Sequence, residues 1–264
     1  MLIILFAITW GPYSFVGVFG VGLLLCLYEF YALVGQVKGV SIQKTVHCLG
    51  GLCLFVTTPL WLLEIIPLSL LFIPYTIYII SCLIMALYQK EGNPLLSLAY
   101  SFLGQVYIVF PFASFNLLCF QPEVSTGNVA YTPILLIALF VFIWLNDTGA
   151  YLVGVRFGKH RLFERISPKK SWEGFFGGAF FAIASSFLFS HATDIPVIHW
   201  VCLSIVTVIF ATWGDLVESL LKRTLGVKDS GNMMPGHGGI LDRLDSVILA
   251  APAMAVCYYL LQLI

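Results

Sequence analysis

Four aspartates sit where a lipid bilayer rejects charge: Asp147 in WLNDTGAYLVG, Asp215 in ATWGDLVES, and Asp242 and Asp245 in LDRLD. Each borders or interrupts a long apolar run, and an ionised side chain inside such a run costs on the order of 2.5–3.5 kcal/mol on insertion scales. Carboxylates gathered at one level repel each other unless cations neutralise them, and hard divalent ions favour carboxylate oxygen. Asp147, Asp215, Asp242 and Asp245 are therefore candidate ligands for Mg2+. Ion pairs at helix ends would explain any one of the four, but not the insertion cost of the set.

Spacing sharpens the case. Asp215, Ser219 and Lys222 fall at i, i+4 and i+7, one stripe of a helix with Glu218 beside it, and Asp242 and Asp245 are three apart on one face. Between these groups runs KDSGNMMPGHGGILD, whose glycines, Gly238 and Gly239 among them, let backbone N–H groups approach phosphate oxygens ahead of a helix N-terminus. Lys222, Arg223, Lys228 and Arg243 flank it with positive charge, and His237 is a candidate contact within the loop. Carboxylates for a metal beside cations and glycine amides are the apparatus of phosphoryl or nucleotidyl transfer.

A second basic stretch spans residues 153–173, with Lys159 near its start and SPKKS, Ser167 to Ser171, near its end. Proline fixes the backbone there, Lys169 and Lys170 supply point charges, and Ser167 and Ser171 can bond phosphate oxygens. Either nucleotide phosphates or a lipid phosphate would suit it, and such loops also orient membrane helices.

These groups need elements to hold them, and composition says which. The 264 residues are 60% hydrophobic and only 10% charged, with a mean hydropathy of +0.98, which excludes a soluble domain with a polar surface. Apolar runs near the ~20 residues of a spanning helix predict full crossings at about 13–35, 48–66, 68–88, 95–119, 131–152, 174–192, 197–218 and 246–264. No two-residue alternation suggests a barrel. The expected fold is an all-α polytopic helical membrane bundle: eight full spans and a short N-terminal apolar segment, residues 1–10, which is a stub or part of a ninth span. That segment lacks a charged n-region and a cleavage site, so a signal peptide is not expected.

Alternating the loops between two sides puts all thirteen Lys and Arg residues on one side, in or near 36–47, 89–94, 153–173 and 219–245. The positive-inside rule makes that side cytosolic. Nine of the thirteen acidic residues and ten of the basic ones follow residue 146. The chain thus reads as a single membrane domain, 1–264, with residues 1–92 as helical scaffold and 93–264 as the part carrying loops 153–173 and 219–245. The seven cysteines show no C-x-x-C pair and read as small apolar residues.

The stretch from Ser219 to Asp245 resembles the signature of the phosphatidate cytidylyltransferases, the CDP-diacylglycerol synthases. Ser219, Lys222, Arg223, Lys228, Asp229, Gly231, Pro235, His237, Gly238, Gly239, Asp242, Arg243 and Asp245 all fall in register. Met234 stands where the pattern usually has Leu, Ile or Phe. NDTGAYLVGVRFGKH and SPKKSWEGFFGG are similar to further stretches of the same family.

The resemblance implies an all-helical bundle in the bacterial inner membrane, its site facing the cytosol, typically dimeric. Its partners would be CTP, phosphatidate and the lipid bilayer, with no nucleic acid. It implies Mg2+, with K+ as a candidate second metal, and a reaction giving CDP-diacylglycerol and pyrophosphate. Asp215, Asp242 and Asp245, with Asp147, would hold the metal, and Lys222 and Arg223 would act beside them in catalysis. Lys228, Asp229, His237, Gly238, Gly239, Arg243, Ser219, Lys159, Ser167, Lys169, Lys170 and Ser171 would bind substrate. A CTP-dependent lipid kinase and a membrane transporter are the alternatives.

Overall fold

The structure is a computed structural model that describes residues 2–122, 127–231 and 238–263. It is helical nearly throughout, and eight stretches are long and apolar enough to cross a membrane. The chain is a multi-pass membrane protein. In order, α1 is Leu2–Trp10, α2 Pro12–Val34, α3 Lys44–Leu62, α4 Leu68–Tyr88, α5 Pro94–Gly104 and α6 Phe110–Cys119. A π-helical turn, Gln105–Val109, joins α5 and α6 into one span. Then follow β1 (Phe120–Pro122), β2 (Val129–Tyr131), α7 (Ile134–Phe157), β3 (Arg161–Phe163), β4 (Ser167–Ser171), α8 (Trp172–Ala192), α9 (Val197–Thr224) and α10 (Leu241–Leu261).

All eight expected spans are present, but several helix ends lie elsewhere: α3 is shifted four residues toward the N-terminus of the expected 48–66, and α7 starts three residues later than expected. Instead of ending at 152 and 218, α7 and α9 continue to Phe157 and Thr224, and α10 begins at Leu241 rather than 246. Hydropathy marks the hydrocarbon edge, whereas a helix continues past it when its last turn suits the macrodipole. Arg156 ends α7, Lys222 and Arg223 end α9, and Asp242 opens α10, each with the sign that its terminus favours. Residues 153–173, expected as a loop, include the end of α7 and the β3–β4 hairpin, where Arg161 pairs with Ser171. The opening stub is the nine-residue helix α1, too short to cross alone.

The described chain packs as two compact units. One comprises residues 1–133 with 227–243. Its core is aromatic: Phe15, Phe55, Phe112, Phe115 and Phe120 are fully or almost fully buried. At the π turn Gln105 points inward and donates Nε2 to Tyr31 Oη and to the His47 carbonyl, both at 3.0 Å.

The other unit comprises residues 134–226 with 244–264. In it α7 packs along α8, and Trp200 of α9 stacks on Phe189 of α8 with centroids 5.1 Å apart. None of the seven cysteines forms a disulfide, and all are buried or half-buried.

Candidate active site

In the second unit α7, α9 and α10 each contribute a carboxylate. Asp147, Asp215 and Asp245 lie within electrostatic reach of one another and of a single ammonium, Lys170. Lys170 Nζ is 2.6 Å from Asp215 Oδ2, and Ser219 Oγ donates to Asp215 Oδ1 at 3.2 Å. Gly214 makes this convergence sterically possible. A Cβ there would lie 2.5 Å from the Asp245 carbonyl oxygen and 3.3 Å from Ser246 Cα, so only glycine lets the α9 and α10 backbones close at this level. Asp147 lies ten residues before the end of α7, about 15 Å along the helix at 1.5 Å per residue.

A cavity of about 530 Å³ opens beside these groups. Asn146, Asp147, Arg161, Lys169, Lys170 and Ser171 supply its polar wall, and Val155, Leu162 and Phe175 belong to its apolar one. Hairpin β3–β4 brings both lysines to this wall, because SPKKS forms β4 and pairs back on β3. Ser171 also has a structural duty: its Oγ accepts from Gly174 N at 3.1 Å and caps α8. Asn146 Oδ1 is buried and accepts from no described donor. Asn146 and Arg161 are missing from the sequence-derived site, although Asn146 opens the NDTG motif and Arg161 lies within the basic stretch 153–173.

Other expected contributors are placed differently. Lys222 Nζ lies 3.4 Å from Glu218 Oε1, an i,i+4 pair in which Glu218 is fully buried. Lys159 is exposed, and its backbone N–H donates to Glu173 Oε2 at 3.2 Å. Arg223 is exposed near the end of α9, and Ser167, half-buried, begins β4. Among the described residues no three His, Cys, Asp or Glu side chains form a ready-made metal cage.

The signature loop belongs to the first unit. Asp242 Oδ2 accepts three hydrogen bonds there, from Ser230 N (2.9 Å), Ser230 Oγ (3.0 Å) and Gly239 N (2.8 Å). The helix-opening carboxylate thus holds the backbone amides of Ser230 and Gly239. Gly238 adopts φ +79°, a left-handed conformation that favours glycine. Lys228, Asp229 and Arg243 are exposed. His237 lies outside the described residues.

The chain belongs to the Cytidylyltransferase family, whose model matches residues 1–261. Within that family it is 39% identical over 173 residues to a phosphatidate cytidylyltransferase of Haemophilus influenzae, a match covering 63% of this chain and 58% of the relative. It is 45% identical over 119 residues to a phosphatidate cytidylyltransferase of Staphylococcus aureus and 47% over 119 residues to one of Staphylococcus epidermidis. Each of these two matches covers 44% of this chain and 46% of the relative. The chain thus spans about half the length of the curated relatives it matches.

Proposed function

We propose that this protein is a phosphatidate cytidylyltransferase, which transfers CMP from CTP to phosphatidate and releases pyrophosphate. The observation that carries the reading is the meeting of Asp147, Asp215 and Asp245 with Lys170 beside a cavity that is cationic on one wall and apolar on another. Such a cavity suits a lipid phosphate with its acyl chains. The names of the relatives point the same way. The kinase and transporter alternatives gain no support from the comparisons.

In the proposed reaction a phosphatidate oxygen attacks the α-phosphorus of CTP, and the bond from that phosphorus to the bridging oxygen of pyrophosphate breaks in line. Phosphatidate is already ionised near neutral pH, so no general base is needed. Lys169, Lys170 and Arg161 offset phosphate charge at the cavity wall, while its apolar side chains keep water from competing as nucleophile. Arg223, Lys228 and Arg243 are candidates for contacts with the triphosphate.

Asp147, Asp215 and Asp245, with Glu218 hydrogen-bonded to Asp245, outnumber the ammonium groups of Lys170 and Lys222 and offer only oxygen donors, the ligand chemistry of a hard divalent cation. Asp147, Asp215 and Asp245 would hold Mg2+, with Asp242 as a further candidate and K+ as a candidate second ion. When bound, Mg2+ would spread the charge that develops at the transferring phosphorus. The bacterial inner membrane, a site facing the cytosol and a homodimer complete the proposal.

The test is incorporation of α-labelled CTP into lipid by the purified protein in phosphatidate micelles with Mg2+, beside Asp215→Asn. Label in the lipid fraction that the variant fails to produce supports the assignment. A folded wild-type protein that leaves the lipid unlabelled refutes it.

A further inference from the structure

Glu29 takes no part in the steps above, yet it lies within α2 at 3% exposure, in a span where an acid needs a reason. Its Oε2 accepts from the backbone N–H of Leu241, the first residue of α10, at 2.9 Å. The Ser230 hydroxyl lies between the two carboxylates, 3.0 Å from Asp242 Oδ2 and 3.5 Å from the same Glu29 oxygen, with one proton to donate and Asp242 the nearer acceptor. Gly239, whose amide meets Asp242, lies directly against Glu29: a Cβ there would be 2.5 Å from Oε2, and one on Gly231 would be 2.7 Å from Oε1. No described residue donates to Oε1.

The first amides of a helix have no intrahelical acceptor, and the dipole there favours an anion. An N-cap normally comes from the residue preceding the helix. For α10 an acceptor comes from α2 instead, and it fixes the exit of the glycine loop while Ser230 fixes the entry.

We propose that Glu29 is a positioning residue: it caps α10 at Leu241 and packs against Ser230 and Gly239, so that Asp242 and the two amides that donate to it are held in one geometry. This rests on the cytidylyl-transfer reading for its catalytic consequence, but not for its structural one. A misplacement of about 1 Å at a reacting centre can cost roughly 10²-fold in rate.

The experiment compares Glu29→Ala, Glu29→Gln and Ser230→Ala with wild type, each as the full chain in detergent. It measures kcat and KM for CTP, and amide hydrogen exchange. For Glu29→Ala the expected result is a kcat lower by roughly 10²-fold, a KM changed by less than about threefold, and faster exchange confined to 228–242. Glu29→Gln retains an acceptor for Leu241 N and recovers to within roughly tenfold of wild type, and Ser230→Ala falls between.

Unchanged exchange in 228–242, a glutamine no better than alanine, or faster exchange spread evenly through α2 and α3 would each overturn the proposal. Should alanine fail to fold, the glutamine and Ser230→Ala variants decide by the same readouts. If wild type incorporates no CMP, the functional reading fails while the exchange data still decide the role of Glu29.

Discussion

Lys170 Nζ lies 2.6 Å from Asp215 Oδ2, which ties the second strand of the hairpin to the middle of α9. The two side chains are 27% and 32% exposed, so the pair contributes only about 0–1 kcal/mol to stability after solvent screening. Its value lies in placing an ammonium between a carboxylate and the cavity. Lys170→Met and Asp215→Asn should each lower kcat/KM roughly 10²–10³-fold while melting close to wild type. The double variant should lose far less than the product of the two, as groups acting as a unit do. Fully multiplicative losses in steady-state kinetics would show that they act separately.

Gly214→Ala should destabilise the fold by roughly 1–3 kcal/mol, because the new methyl meets the Asp245 carbonyl with no flexible neighbour to yield. Thermal unfolding in detergent gives the number. Gly226→Ala is a less suitable control, because Gly226 has φ +71°. Gly17→Ala, with open space around its Cβ, should be neutral.

Mg2+ should raise the melting temperature of wild type and have little effect on Asp245→Asn or Asp147→Asn, since each variant removes one carboxylate of the set. EDTA should abolish CMP transfer, and excess Mg2+ should restore it. A Mg2+-induced shift of wild-type size in both variants would place the cation elsewhere.

Ser171→Ala should cost about 1 kcal/mol through loss of the α8 cap, and Ser171→Asp should regain that stability. A rise in KM for phosphatidate in the alanine variant, beyond what unfolding explains, would mean that the hydroxyl also contacts substrate from the cavity wall.

A reporter that is active only outside the cytosol should be active when fused after residue 194 and silent when fused after residue 165. All thirteen basic residues lie in or near the loops on the second position's side. Activity of the later fusion's opposite, at 165, would reverse the orientation.

The spans were legible because each is a run of apolar residues bracketed by glycine, proline or charge, and hydropathy reads such runs directly. The helix ends were not, because polar residues such as Arg156 and Lys222 extend a helix beyond the hydrocarbon while looking like loop. Asp147, Asp215 and Asp245 could be singled out by insertion cost alone. Lys222 reads as a phosphate ligand, but Glu218 four residues earlier was a visible competing partner. Glu29 answers to the same insertion-cost argument as the aspartates. Its partner amide lies 212 residues away, and nothing in local sequence shows such a pairing.

That separation has a consequence for biogenesis. At roughly 5–20 residues per second, about 10–40 s elapse between synthesis of Glu29 and of Leu241. Throughout that interval α2 must reside in or near the bilayer with an acid whose helix-capping amide does not yet exist. A nascent chain halted before Leu241 therefore carries a membrane carboxylate that has not yet met the amide it caps.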